Sequence, residues 1–148
     1  MRDGGCECGA IRYRLSDAPF FVNCCHCRQC QKISGSAFAI NAMIEADRVV
    51  LVEGSPVTAE GGSARCPECA SLLWATHPMF GGNILFLRAG TLDEGEALVP
   101  DAHFFVRSRH RWIELPAGVR QFETLPGPDD PPLMGGEARA RLEAALAA

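Results

Sequence analysis

The tightest constraint in this chain is Cys25-His26-Cys27-Arg28-Gln29-Cys30, three cysteines spaced so that their sulfurs can converge on one point. In an extended segment alternate side chains share a face, so Cys25 and Cys27 point one way while Cys24 and His26 point the other. A turn at Arg28-Gln29 then brings Cys30 back, and the stretch becomes a three-thiolate claw. A closed structural zinc takes four protein ligands, whereas a reactive one commonly takes three and leaves a position open. The count therefore favours chemistry over scaffolding. The competing reading makes Cys24 or His26 a fourth ligand of an ordinary structural knuckle; alternation argues against it.

Whether eight cysteines mean metal or disulfides depends on where the chain works. The start, Met1-Arg2-Asp3-Gly4-Gly5, lacks the apolar core of a signal peptide, and no apolar run approaches the roughly 20 residues needed to span a bilayer. A cytoplasmic protein without a membrane partner is expected. Thiols stay reduced there, so tight cysteine clusters point to metal. A formal net charge of −4 is the wrong sign for the footprint of a general nucleic-acid binder, so no nucleic-acid partner is expected. At 148 residues the chain can bury one substantial core.

Between the cysteines the pattern is that of short strands. Ile11, Tyr13 and Leu15 alternate with Arg12, Arg14 and Ser16, the period of a half-buried strand. Phe20 to Cys24 is rich in strand formers and leads into the claw, which places Cys25 and Cys27 at a strand end. Gln29 to Ile33 reads as one short helical turn, Ala37 to Ile44 as a buried strand, and Arg48 to Glu53 as another. Leu72-Leu73-Trp74, Ile84 to Leu87 and Phe104 to Val106 add further strands, and Trp112 reads as a core aromatic. Gly127-Pro128-Asp129-Asp130-Pro131-Pro132 continues neither a strand nor a helix. Beyond it Glu137 to Ala147 is rich in helix formers, with Leu142, Ala145 and Leu146 on one stripe. The expectation is a mainly β domain of short antiparallel strands over residues 1–125, then a Pro-rich linker and a short C-terminal helix over 126–148.

If the claw uses Cys25, Cys27 and Cys30, then Cys6 and Cys8 pair naturally with Cys66-Pro67-Glu68-Cys69 in a site of four thiolates. Such a site closes a long loop that would otherwise be ordered at an entropic cost. A mixed partition, with Cys27 and Cys30 joined to Cys66 and Cys69 as in a two-knuckle ribbon, is the alternative.

Cys6-x-Cys8-Gly9, Cys25-His26-Cys27-x-x-Cys30, Cys66-x-x-Cys69 and the late Trp112 resemble the glutathione-dependent formaldehyde-activating enzyme family, which includes the centromere protein V relatives. The resemblance implies a zinc-containing, Mss4-like β fold with two zinc ions per chain. One is a structural zinc on Cys6, Cys8, Cys66 and Cys69. The other is a catalytic zinc on Cys25, Cys27 and Cys30, and because only three thiolates hold it, it is expected to be lost more easily than the first. It also implies small-molecule partners, a thiol such as glutathione and an aldehyde such as formaldehyde, joined or parted by carbon–sulfur lyase chemistry. His26, His77 and His103 are candidate proton shuttles, and Arg28, Lys32 and Arg107 candidate partners for glutathione carboxylates, although each also reads as an ordinary structural or surface residue. The alternative function is a non-enzymatic, zinc-stapled module that binds a protein through its terminal helix or apolar strand edges. Relatives usually carry an aromatic residue before the late Cys-x-x-Cys and a glycine after it, where this chain has Arg65 and Ala70. Because alanine resists a positive φ, a slightly different knuckle shape is expected there.

Overall fold

The computed structural model describes residues 1–148. Strands β1 (Arg2–Gly5), β2 (Arg12–Leu15) and β5 (Val49–Glu53) form a small antiparallel sheet in the order β1-β2-β5. The alternation in β2 has the expected outcome: Tyr13 and Leu15 are buried, as is Ile11 just before them, while Arg12 and Arg14 reach outward to ion-pair with Asp93 and Asp3. Gly4 in β1 is forced by this packing, since a Cβ there would lie 2.5 Å from the Tyr13 ring.

The larger sheet has β3 (Phe21–Cys25), β4 (Ala39–Glu45) and β9 (Gly81–Arg88) at its centre. Toward one edge it adds β8 (Leu72–His77), β7 (Ala64–Arg65) and β6 (Val57–Thr58), and toward the other β10 (Ala102–Phe104) and β11 (Arg120–Gln121). Most pairs are antiparallel, but β10 runs parallel to both β3 and β11. A parallel pair needs a crossover, and residues 89–101 supply it. That segment turns through Ala89–Thr91 and Gly95–Ala97, touches the small sheet where Gly4 bridges Leu92, and returns beside β3.

Register sorts the large sheet into two faces with different fates. Val22, Ala42, Ile44, Leu85 and Leu87 lie on the face that packs on Tyr13 and Leu15 of the small sheet and form the main core. On the opposite face Phe21, Met43, Ile84 and Phe104 form a second core with Phe122. Over that second face lies the C-terminal segment. Leu133, Met134, and Leu142 and Ala145 of helix α2 (Gly136–Ala147) pack on it, while Leu146 stays 45% exposed. Arg141 fastens the helix: it ion-pairs with Glu45 at 2.6 Å, donates to the Ala18 carbonyl and lies 5.5 Å over the Phe20 ring. Helix α2 thus spends its apolar stripe on its own sheet. No helix is long and apolar enough to cross a membrane.

Candidate metal centres

Two sulfur clusters form, one of Cys6, Cys8, Cys66 and Cys69 and one of Cys25, Cys27 and Cys30, with ligand atoms in each within 4.8 Å of one another. The mixed ribbon arrangement does not occur. Around a tetrahedral zinc with Zn–S bonds of about 2.3 Å, sulfurs sit about 3.8 Å apart. The Cys6–Cys8 and Cys8–Cys66 separations of 3.6 and 3.8 Å match that spacing, so the four-sulfur set fits a tetrahedral metal ion.

Two tight turns build the first cluster. In one, the Cys6 amide donates to the Ile11 carbonyl, the Gly9 amide returns to the Cys6 carbonyl and the Ile11 amide donates to Cys6 Sγ at 3.2 Å. In the other, the Cys66 amide donates to the Ser71 carbonyl and the Ala70 amide returns to the Cys66 carbonyl at 2.9 Å. Gly9 adopts φ +83° and Ala70 adopts φ +62°, so both turns use the left-handed conformation. This corrects the expectation for Ala70. The knuckle keeps its shape, and alanine bears the strain, because the ring of backbone bonds around the sulfurs dictates the conformation. Arg65 donates to the Ala70 carbonyl at 3.0 Å and braces the same turn. The Ser71 hydroxyl, 3.1 Å from Cys69 Sγ, holds that thiol down at about 6.

The claw sits where β3 ends. Cys25 is the last residue of β3, and helix α1 (Arg28–Ser34) begins at once with Cys27 as its N-cap, Sγ accepting from the Cys30 amide at 3.3 Å. Within α1, the buried Gln31 locks this corner. Its Nε2 donates to the carbonyls of His26 and Ser108, and its Oε1 accepts from His110 at 3.2 Å. Cys30 is thereby fixed against Cys25. Cys25 is buried while Cys27 and Cys30 are half-buried, so the cluster opens toward the helix side. The thiols of this set are not equivalent. Hydrogen bonding from Cys25, helped by the Arg88 guanidinium, lowers Cys30 to about 6, and that same contact with burial pushes Cys25 upward.

Cys24 and His26 both turn away from the claw. Cys24 is buried on the opposite face, where burial alone raises its thiol to about 11. His26 is fully buried and its Nε2 lies 2.9 Å from His103 Nδ1; burial, then the neighbouring His103, lowers His26 to about 4. Of the three candidate shuttles, His26 and His103 thus form a neutral pair behind the claw, and His77 lies at the exposed end of β8, against Phe80 and Phe86. Arg28, Lys32 and Arg107 are exposed. Trp112 is not a core residue: it is 76% exposed, edge-on to His110 on a surface turn.

Three residues that the sequence reading passed over lie beside the claw. Asn23, Asn41 and Arg88 are cross-strand neighbours on β3, β4 and β9, and they share the face of Cys25. Asn41 Nδ2 donates to Asn23 Oδ1 at 3.3 Å, and Arg88 Nη1 donates to Asn41 Oδ1. The available signal was one amide within each of two largely apolar strands, β4 also ending on the charged Glu45, since buried polar side chains are kept only where they are bonded.

The family model described as "Glutathione-dependent formaldehyde-activating enzyme" matches residues 1–108. This span includes all seven clustered cysteines and the Asn23–Asn41–Arg88 row and excludes α2. No curated protein matches the chain. Among solved structures, the crystal structure of a Rhodobacter sphaeroides protein is similar at 17% identity, covering 66% of this chain and 97% of that one, with a TM-score of 0.49.

Proposed function

The chain belongs to the glutathione-dependent formaldehyde-activating enzyme family, and from that membership and the claw we propose that it is a zinc-dependent enzyme of the carbon–sulfur lyase or synthase type. It adds a small thiol, glutathione or a relative of it, to an aldehyde and reverses that addition. Cys6, Cys8, Cys66 and Cys69 hold a structural zinc, and Cys25, Cys27 and Cys30 hold the catalytic one. The observation that carries this reading is the claw's count. The second cluster stops at three sulfurs, with Cys24 and His26 committed elsewhere and two of the three ligands reachable from outside. Soft thiolate donors suit zinc. Zinc bound there keeps a coordinating substrate thiol deprotonated near neutral pH, although a free thiol has a pKa of about 8.5.

The chain's own residues supply the rest. Gln31 and the α1 N-cap hold the three sulfurs in a fixed corner, and the sheet face beneath it, lined by Phe104 and the Asn23–Asn41–Arg88 row, meets the incoming aldehyde. In the addition the substrate sulfur shares a lone pair with the aldehyde carbon. The C–S bond forms, the C=O π pair moves onto oxygen, and solvent supplies the proton. The reverse step removes that proton and returns the C–S pair to sulfur.

Cobalt substitution tests the reading. Glutathione joining the claw changes the visible spectrum of the cobalt-thiolate site, and exchange between formaldehyde and its glutathione adduct speeds up on adding the zinc protein. No spectral response to a panel of cellular thiols, with no faster exchange, defeats the proposal. The rival module has lost half its surface, because the α2 stripe packs on its own sheet. It keeps the exposed Val50, Leu51 and Val52 of β5.

A further inference from the structure

Arg88 is a half-buried arginine without a carboxylate partner; the chain's ion pairs join Arg12, Arg14, Arg48, Arg139 and Arg141 to acidic residues and leave it out. Charges withdrawn from water are normally paired, because desolvating an unpaired ion is expensive. The Arg88 guanidinium makes one protein hydrogen bond, from Nη1 to Asn41 Oδ1, and its Nε is buried with no partner at all. An oriented cation with spare donors is the usual equipment for gripping an anionic oxygen.

Its orientation is not accidental. Asn23 is 2% exposed and Asn41 7%, and the chain of bonds from Asn23 Oδ1 through the Asn41 amide to Nη1 holds the guanidinium from below. Its position follows from register. Arg88 pairs with Asn41, and Cys25 pairs with Ala39, two residues earlier in β4. With strands about 4.8 Å apart and a rise of about 3.3 Å per residue, Arg88 starts about 12 Å from Cys25 at the backbone, within combined reach of a long arginine and a small ligand on the claw.

We propose that Arg88, oriented by Asn41 and Asn23, is an oxyanion subsite that binds the oxygen of the one-carbon unit while a sulfur occupies the claw. The inference deepens the addition reaction proposed above and rests on it for the identity of that oxygen. As the C–S bond forms, the electron pair that moves onto oxygen meets the spare Arg88 N–H groups. In the reverse direction they hold the alkoxide from which the C–S pair departs. The subsite selects a carbon that carries oxygen over a plain alkyl thioether.

The test uses the zinc-loaded full chain and sodium formate, the one-carbon carboxylate, as probe. The Arg88 Hε–Nε NMR signal and the Asn41 side-chain amide signals shift together and saturate as formate is added. Signals of Arg2, on β1 of the small sheet, do not follow. Arg88→Met weakens formate binding, read at Asn41, by about tenfold to a hundredfold, the effect expected for losing a charge-assisted hydrogen bond. An Arg88 signal that moves no more than that of Arg2, or an Arg88→Met protein that binds formate as tightly as the wild type, overturns the subsite. The wild-type titration decides alone if the variant does not fold. Saturable formate binding at Arg88 in a protein whose cobalt spectrum ignores glutathione upholds the subsite and removes the thiol chemistry. A thiol response without formate binding does the reverse.

Discussion

Ala70→Gly should make this protein more stable, and Gly9→Ala should make it less so. Ala70 closes the second knuckle at φ +62° with its side chain in solvent, and both backbone bonds of the turn are retained by any residue there. An alanine in the left-handed region costs about 1–2 kcal/mol relative to its preferred conformations. Replacing it by glycine removes that strain but frees the unfolded chain, which offsets about 0.4–1 kcal/mol. The net gain is about 0.5–1 kcal/mol, or a rise in melting temperature of about 2 °C for a domain of this size. Gly9 is the mirror case: φ is +83° and nothing lies within 4 Å of a Cβ built there. Gly9→Ala therefore carries the conformational term without a clash, a loss of about 0.5–1 kcal/mol. Denaturant unfolding of the three proteins at one fixed zinc concentration measures both changes, since metal binding shifts apparent stability by mass action. A lower midpoint for Ala70→Gly, with Gly9→Ala neutral, would refute the claim that the sulfur cluster imposes left-handed geometry on both turns.

The other predictions concern the metal and the tail. Cys66→Ser should prevent folding, because a structural zinc contributes on the order of 10 kcal/mol, comparable to the whole stability of a domain; Cys30→Ser should leave a folded chain whose elemental analysis shows one zinc, against an expected two in the wild type. Cys24→Ala should keep both metals, since that thiol is buried behind the claw, and loss of one on elemental analysis would place it among the ligands. Arg141→Met should destabilise by about 2 kcal/mol, less than a fully buried pair because Arg48 still lies 3.5 Å from Glu45. Burial works against the Glu45 charge, but the bonds from Arg141 prevail and hold its carboxyl below the ordinary value. That stability is present above the unfolded pKa and is lost as pH falls through the lower folded one, so the variant's acid-unfolding curve should flatten in that range. A chain ending at Leu125 should still bind metal at the 1–125 domain but expose Phe20, Phe86 and Phe122, which light scattering would register as self-association.

What could be read in the sequence was what is local. Ligands separated by one or two residues announce a metal site because the chain cannot carry those sulfurs far apart, and the alternation of Ile11, Tyr13 and Leu15 announces a strand because one face meets the core. The grouping of the cysteines was legible for the same reason, up to the choice between two partitions that only the strand order decides. Trp112 was misread because a large aromatic is usually buried, and no alternating neighbours marked the surface turn on which it sits. Ala70 was misread in the opposite sense: residue preference argues against a positive φ, but a turn whose ends are tied to two sulfur ligands leaves the residue no other conformation.

The Asn23–Asn41–Arg88 row was illegible for a deeper reason. Its members come from three strands, and nothing within β3, β4 or β9 alone says which residues will stand opposite one another. Register does, and because side chains alternate with a period of two, a slip of one residue would turn Arg88 into the main core and Leu87 toward the claw. The hydrophobic requirement of Leu85 and Leu87 on one face therefore fixes where Arg88 lies on the other. A sheet can place a cation beside a metal corner without any local signal of it, through the packing of leucines on its far side.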